Sequence, residues 1–378
     1  MKKSPQEVLL LCHSLDLGGT ERQMTEVAKG LDRALFRPHV ATFHPNGIRA
    51  DELRAAGVPI LHLPVTSFAS LSMLKCGFEL IRYIRRHRIQ IVHTFDVPLN
   101  IFAVPFARLA RAPVVLSSQR AHRQLTPGLY TKLLRLTDQM VDGTVVNCVH
   151  MRDHLIKDEH VSPGQIHLCY NGIDLSLFNP HRERAEVPDS SVITIGTVCA
   201  LRPEKGLSTL VEAFALVQGV HRNTRLLVVG SGPMLPTLEA QAAELGVRAL
   251  CTFVQKTADV APWMRSMDIF VLPSLSEALS NSLMEAMACG CCCVASEVGG
   301  NPELMGENSR GLLFPRGDAR MLSGRLHQLV EDAGLRRELS VLGRKYLHSH
   351  FSQQQSIEGM QGIYSLASPQ LLRDRLNL

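Results

Sequence analysis

The sequence predicts an α/β protein with two open parallel sheets, each covered by helices on both faces. Three observations carry this prediction. Short runs rich in Val, Ile and Leu recur between helical stretches along the whole chain, as strands buried on both faces require. With domains of roughly 150 residues as the guide, 378 residues suffice for two. A turn-rich segment near the middle divides the strand-like runs into two series.

In the first series strands are expected at Val8–Cys12, His39–Phe43, Ile60–Leu63, Ile91–Thr94, Val114–Ser117 and Gly143–Asn147, with helices in the gaps. One of these helices, Leu74 to Arg88, repeats Leu74, Phe78, Ile81 and Ile84 at helical spacing, with Arg82, Arg85, Arg86 and Arg88 on its other faces. The dividing segment is Tyr170-Asn171-Gly172-Ile173-Asp174, followed by the polar stretch Asn179 to Ser191 with its two prolines. The second series places strands at Val192–Val198, Leu226–Val229, Leu250–Phe253, Ile269–Leu272, Cys292–Ala295 and Gly311–Phe314, and then ends in helices. Two such sheets joined by a hinge are expected to bind ligands in a cleft at the carboxyl ends of their strands.

Composition excludes several classes. Hydrophobic residues at 45% and charged residues at 20% fit a globular core and rule out disorder or a fibre. No stretch of 18 apolar residues is present, because the most apolar region, Val97 to Leu116, is interrupted by Asn100, Pro105, Arg108, Arg111 and Pro113. The start, Met1 to Glu7, leads directly into a strand-like run and reads as no secretory signal, so a cytoplasmic protein is expected. The basic excess lies in the first half: residues 1–174 hold 21 Lys and Arg against 15 Asp and Glu. It suits phosphate, an anionic membrane surface or an ordinary solvated face, whereas aromatic content of 5% argues against a nucleic-acid partner. The ten cysteines show no zinc-type spacing, and Cys289, Cys291, Cys292 and Cys293 read as small filler in a buried strand, since neighbours on a strand face opposite ways. No metal is expected.

Three segments carry chemistry. After the first strand, Asp16-Leu17-Gly18-Gly19-Thr20-Glu21 sets paired glycines at a strand-to-helix turn, which reads equally as a structural turn and as a place where backbone N–H groups suit an anion. It is no Walker A loop, since no Gly-Lys-Ser or Gly-Lys-Thr follows. The second domain opens with a comparable loop, Cys199 to Gly206, in which Arg202 and Lys205 either neutralise a pyrophosphate without a metal or stand as two solvated basic residues before a helix. Most specific is Pro273 to Ala288: Glu277 lies in a loop after a strand, Ser280-Asn281-Ser282 begins a helix, and Glu285 follows within it. Carboxylates on a loop and on the following helix can reach two points of one elongated ligand, and a sugar nucleotide fits.

This stretch resembles the Glu-x7-Glu signature of glycosyltransferase family 4, retaining enzymes of the GT-B fold, in which two Rossmann-like domains face each other across a cleft. Asn171-Gly172-Ile173-Asp174, Lys205-Gly206, Gly230-Ser231-Gly232-Pro233 and Gly299-Gly300-Asn301-Pro302-Glu303 match the family in order and spacing. The resemblance implies an N-terminal acceptor-binding domain over 1–172, a nucleotide-sugar-binding domain over 173–350, and a C-terminal helix in 351–378 packing back toward the first domain. It implies that Glu277 contacts the donor sugar and Glu285 the ribose. Leu279, Ser280 and Asn281 would meet the diphosphate through their N–H groups, with Lys205 and Arg202 opposite and Gly18 and Gly19 approaching from the first domain. The base would be read along Phe253 to Lys256, with Gln255 in that loop.

The chain departs from the family pattern in two places. Ala200 stands where an arginine commonly precedes the lysine by five residues, with Arg202 as the substitute. Ser117-Ser118-Gln119-Arg120 stands where many members carry a histidine, leaving Gln119, Arg120, His93 and Asp96 as candidates on the acceptor side. The expected activity is retaining transfer of a sugar from a nucleoside diphosphate sugar, with uridine diphosphate favoured, to a glycan or lipid-linked acceptor, without cofactor. A nucleotide-sugar epimerase and a silent binding protein are the alternatives. The arginine-bearing helix suits equally a peripheral contact with anionic lipid and a plain basic surface.

Overall fold

The computed structural model describes residues 4–68, 70–121, 128–186, 191–255, 257 and 259–367. It divides into two compact units, residues 1–172 with 353–378, and residues 173–352.

The first unit runs β1 (Gln6–Ser14), α1 (Gly19–Gly30), β2 (Phe36–His44), α2 (Ile48–Ala55), β3 (Ile60–His62), α3 (Leu71–Arg86), β4 (Ile91–Thr94), α4 (Val97–Leu109), β5 (Val114–Gln119), α5 (Gly128–Asp138), β6 (Gly143–Val146), α6 (Val149–Lys157) and β7 (Ile166–Leu168). Among the described residues these seven strands form one parallel sheet in the order β3-β2-β1-β4-β5-β6-β7. The run Val8 to Cys12 is continuously apolar because both faces of its strand are covered. Val8, Leu10 and Cys12 enter a core with Met24, Val27 and Phe36, whereas Leu9 and Leu11 enter another with Leu80, Phe102 and Val104. β7 was not expected from the sequence; it is three residues long, half-buried and at the sheet edge.

The second unit runs β8 (Ile193–Val198), α7 (Leu207–Gln218), β9 (Thr224–Val229), α8 (Leu235–Glu244), β10 (Cys251–Val254), α9 (Ala261–Arg265), β11 (Ile269–Leu272), α10 (Asn281–Ala288), β12 (Cys292–Ser296), α11 (Asn301–Met305), β13 (Leu312–Phe314), α12 (Ala319–Glu331) and α13 (Ala333–His350). Its parallel sheet has the order β10-β9-β8-β11-β12-β13. All four clustered cysteines are buried, and burial pushes the Cys289 and Cys292 thiols up to about 12, so they behave as inert filler. The last helix among the described residues, α14 (Gln353–Ala367), belongs to the first unit and lays Met360, Ile363 and Tyr364 into its core.

One expectation needs correction. The polar stretch after Asn179 is no free linker where it is described: the buried Arg265 donates to the carbonyls of Leu177 and Glu183, and Ala185 N–H donates to Pro262. Its residues 187–190 lie outside the described ones. In α3 the buried side is Cys76, Gly77, Leu80 and Ile84, while Leu71, Leu74 and Phe78 are exposed, at 75%, 45% and 68%. Gly77 fixes this rotation, since a Cβ there would sit 2.2 Å from the Phe106 ring of α4. No helix among the described residues is long and apolar enough to cross a membrane.

Candidate functional site

In each sheet the strand order reverses direction beside the first strand, between β1 and β4 and between β8 and β11. Loops leaving adjacent strands there diverge to opposite faces and open a crevice at their carboxyl ends.

In the second unit the loops after β8 and β11 flank that point, and they bring Lys205 to Glu277. Lys205 Nζ donates to Glu277 Oε1 at 2.6 Å, and Ser274 Oγ donates to the same oxygen at 2.7 Å. Glu277 Oε2 has no partner among the described residues. Burial works against the Lys205 charge, but the Glu277 carboxylate outweighs it and the ammonium pKa is raised overall. The pair is mostly buried.

Glycines hold these loops together. Gly206, left-handed at φ 61, follows Lys205, and a Cβ there would lie 2.2 Å from the Pro273 carbonyl oxygen. Leu275 N–H donates to the Glu204 carbonyl at 2.8 Å, so the two loops join backbone to backbone. Gly299, at φ 56, leaves room for the Glu277 carbonyl, 2.0 Å from where its Cβ would be, and Gly300 N–H donates to Ala278. Gly230 and Gly232 play the same part beside Cys199 and Leu201. Ser296 Oγ donates to the Ser274 carbonyl at 2.6 Å and completes the brace from β12.

The helix behind Glu277 begins as its sequence suggests. Ser280 is the N-cap of α10, its Oγ accepting from Leu283 N–H at 3.3 Å, with Leu279 buried before it and Asn281 the first helical residue. Such a start presents N–H groups and the positive end of the helix dipole. Glu285 is buried one turn on. Arg202 is exposed and lies 3.6 Å from Glu204, so it flanks the Lys205–Glu277 pair without joining it. Gln255 is exposed just past β10, and Lys256 lies outside the described residues. Ser274 escaped the sequence reading, although a hydroxyl three residues before the glutamate, at a strand end, was the available signal.

In the first unit Gly18 caps α1 in extended backbone and Gly19 is the first helical residue. A Cβ on Gly18 would meet the Glu21 carboxylate at 1.9 Å, and Glu21 accepts from Ser14 Oγ at 3.0 Å, so this helix start is attended by its own carboxylate. Asp96 caps α4 and accepts from Leu99 N–H at 3.1 Å and from His13 N–H at 2.5 Å. Burial raises its pKa to about 7 against the pull of these N–H donors, and the Glu21 charge adds to the rise.

The remaining candidates are built into the fold. His93 is fully buried, with Nδ1 2.8 Å from the Tyr364 hydroxyl and Nε2 2.9 Å from Ser118 Oγ. Arg120, lowered to about 10 by burial, donates to Asn171 Oδ1 at 2.7 Å and lies over the Phe95 ring. Gln119 is buried and donates to the Ala121 carbonyl. Gln23 exchanges two hydrogen bonds with the Gly172 backbone, so Asn171 and Gly172 are both tied to the first unit. Among the described residues no cluster of His, Cys, Asp and Glu has metal-binding geometry.

Known proteins agree with this architecture. The model described as Glycosyltransferase Family 4 matches residues 17–177, and that described as Glycosyl transferases group 1 matches residues 178–346. The chain is 28% identical over 218 residues to N-acetyl-alpha-D-glucosaminyl L-malate synthase of Bacillus anthracis, covering 56% of this chain and 57% of that one. The match thus spans little more than half the length of that relative. It is 24% identical over 301 residues to the UDP-Gal:alpha-D-GlcNAc-diphosphoundecaprenol alpha-1,3-galactosyltransferase of Escherichia coli, covering 75% and 76%. Among solved structures, Anabaena Alr3699/HepE in complex with UDP superposes with a TM-score of 0.82 at 18% identity, over 95% of this chain and all of that one. The paired parallel sheets and the two consecutive family matches agree: the chain belongs to glycosyltransferase family 4 and has the GT-B fold.

Proposed function

We propose that the protein transfers a sugar from a nucleoside diphosphate sugar to a glycan or lipid-linked acceptor with retention of anomeric configuration. The observation that carries this reading is the state of Glu277. One carboxylate oxygen is held by Lys205 and Ser274, and the other is left with hydrogen-bonding capacity for a sugar hydroxyl. A purely structural ion pair at a loop junction has no need of that asymmetry.

When the bond between the anomeric carbon and the β-phosphate oxygen breaks, its electron pair leaves with the phosphate and positive character grows on the sugar. Lys205, Arg202 and the N–H groups of Leu279, Ser280 and Asn281 stabilise the phosphate charge, and Glu277 orients the sugar. Glu285 takes the ribose, and the loop of Gln255 takes the base. The acceptor hydroxyl attacks the face the phosphate leaves, and its proton passes to the departing phosphate oxygen. Protein cations do the work a divalent metal does elsewhere, so the reaction proceeds in a chelator.

Uridine diphosphate is the favoured carrier; the complexes of the Anabaena protein with UDP and with UDP-glucose support that choice. A membrane setting is favoured by α3, whose exposed Leu71, Leu74 and Phe78 continue along the helix into the exposed Lys75, Arg82 and Arg85. Such a face suits an anionic lipid surface.

The test incubates UDP-sugars alone and with lipid-linked and glycan acceptors, in EDTA, and reads the product by NMR. Transfer with the donor's configuration kept is expected. Donor conversion without acceptor would mean an epimerase. Binding without turnover would mean a silent sugar-nucleotide protein. An inverted product would refute the mechanism.

A further inference from the structure

At the amino-terminal edge of the first sheet, opposite the strand ends that carry Asp96 and Gln119, lies a cavity of about 560 Å³. Its walls are the starts of β1 and β2, the turns before β4 and β5, and the carboxyl ends of α3 and α4. Four arginines line it: Arg37, Arg85, Arg88 and Arg111. The one acid in the lining, Glu7, is already engaged, by Arg37 at 2.7 Å and by His39 Nε2 at 2.8 Å.

The backbone of two of these arginines is unusual. Arg88 and Arg111 have φ of 52° and 63° and stand one residue past the ends of α3 and α4, after the caps His87 and Ala110, where glycine is the favoured residue. Their side chains are not needed as caps. Ile89 N–H already donates to Ile84 at 2.9 Å, Ala112 N–H to Ala107 at 3.0 Å, and the Arg85 guanidinium to Leu109 at 3.0 Å. The guanidinium groups of Arg88 and Arg111 make no hydrogen bond or ion pair among the described residues. Two helix ends therefore bear the same local strain to place an unpaired cation on one cavity. Strain of this kind is retained where the side chain serves something other than the fold.

We propose that this cavity binds a phosphorylated ligand, with the phosphate held between Arg88 and Arg111 and with Arg37 and Arg85 at its margins. Planar guanidinium groups pair with phosphate oxygens in twos, which a scattered basic surface does not achieve. The volume falls in the range of small-molecule sites. The site lies on the far edge of the sheet from the strand ends where ligands of this fold class bind, so it goes beyond the transfer reaction.

The test titrates the full chain with sodium pyrophosphate by calorimetry at low ionic strength, for the wild type, Arg88→Asn/Arg111→Asn and Lys205→Ala. Asparagine tolerates the left-handed backbone, so the double variant should melt no lower than the wild type. Two saturable components are expected, since the donor site also takes a diphosphate: one weakened at least about tenfold in the double variant, the scale of losing a charge-assisted contact, and persisting in Lys205→Ala. A parallel arm measures association with phosphatidylglycerol vesicles against phosphatidylcholine vesicles. Loss in the double variant there, with no pyrophosphate component lost, would place the phosphate on a lipid headgroup. If neither probe binds in a way that depends on Arg88 and Arg111, the proposal is overturned. Pyrophosphate binding abolished by Lys205→Ala and untouched by the double variant would also overturn it, without bearing against the transfer reaction.

Discussion

Lys205 and Glu277 are 72 residues apart in sequence and 2.6 Å apart in space, and the reading of the second unit turns on that pair. Replacing either by alanine is expected to lower transfer by at least about a hundredfold, the scale of losing one preorganised charge contact. Ser274→Ala should cost less, because Lys205 still holds the same oxygen. Steady-state kinetics on soluble, folded variants decides this, and near-normal turnover in Glu277→Ala would end the assignment. His93 yields a prediction of another kind. Burial holds its pKa well below 6.5, with Arg120 and His167 adding to the effect, so the folded protein keeps the ring neutral while the unfolded chain protonates near 6.5. Protons then bind preferentially to the unfolded chain, and stability is lost as pH falls below that value. The wild type should melt at lower temperature near about pH 5 than at neutral pH, and His93→Gln should show a smaller drop over the same interval. Equal drops would mean that other groups carry the acid sensitivity.

Among elements, the loops after β8 and β11 are joined through glycines, so their stability and their chemistry can be separated. Gly206→Ala adds a Cβ against the Pro273 carbonyl to a left-handed backbone, and a cost of about 1–3 kcal/mol is expected, with turnover falling as the loops part. Lys205→Arg keeps a cation beside the buried Glu277 carboxylate but changes its shape, so turnover should fall with little change in melting temperature, and an equal loss of stability in both variants would contradict this division. These loops were legible because Glu277, Glu285, Lys205 and the glycines are local signals at fixed spacing. Most strands were legible as well, since a strand buried on both faces reads as an unbroken apolar run, as Val8 to Cys12 and Ile269 to Leu272 do. β7 is an edge strand of three half-buried residues and lacks that pattern. The α3 rotation was hidden because Phe78 and Ile84 look equally apolar, and only the packing of Gly77 on Phe106 shows which face is covered. The clamp of Arg120 on Asn171 spans 51 residues and leaves no periodic trace.

At the scale of the whole molecule, the chain leaves the first unit at Gly172 and re-enters it at Gln353, so that unit's core is completed by α14. α14 contributes Met360, Ile363 and Tyr364 to the cluster that holds Val8, Leu10 and Phe36, and the Tyr364 hydroxyl meets His93 at the centre of the sheet. Ser356 Oγ donates to the Tyr170 carbonyl at 2.7 Å and fastens the helix beside the crossing point. Tyr364→Ala removes a fully buried ring and should cost roughly 3–5 kcal/mol. Tyr364→Phe keeps the ring but leaves His93 Nδ1 without its partner, for roughly 1–3 kcal/mol. The single tryptophan, Trp263, lies in α9 of the second unit, which has its own core, so its fluorescence follows that unit alone while circular dichroism follows both. In urea, the dichroism transition of Tyr364→Ala should move to lower concentration while the Trp263 transition stays in place. A dichroism curve unchanged by the substitution would show that α14 does not hold the first unit together. A Trp263 transition displaced by the same amount would show that the two cores unfold as one.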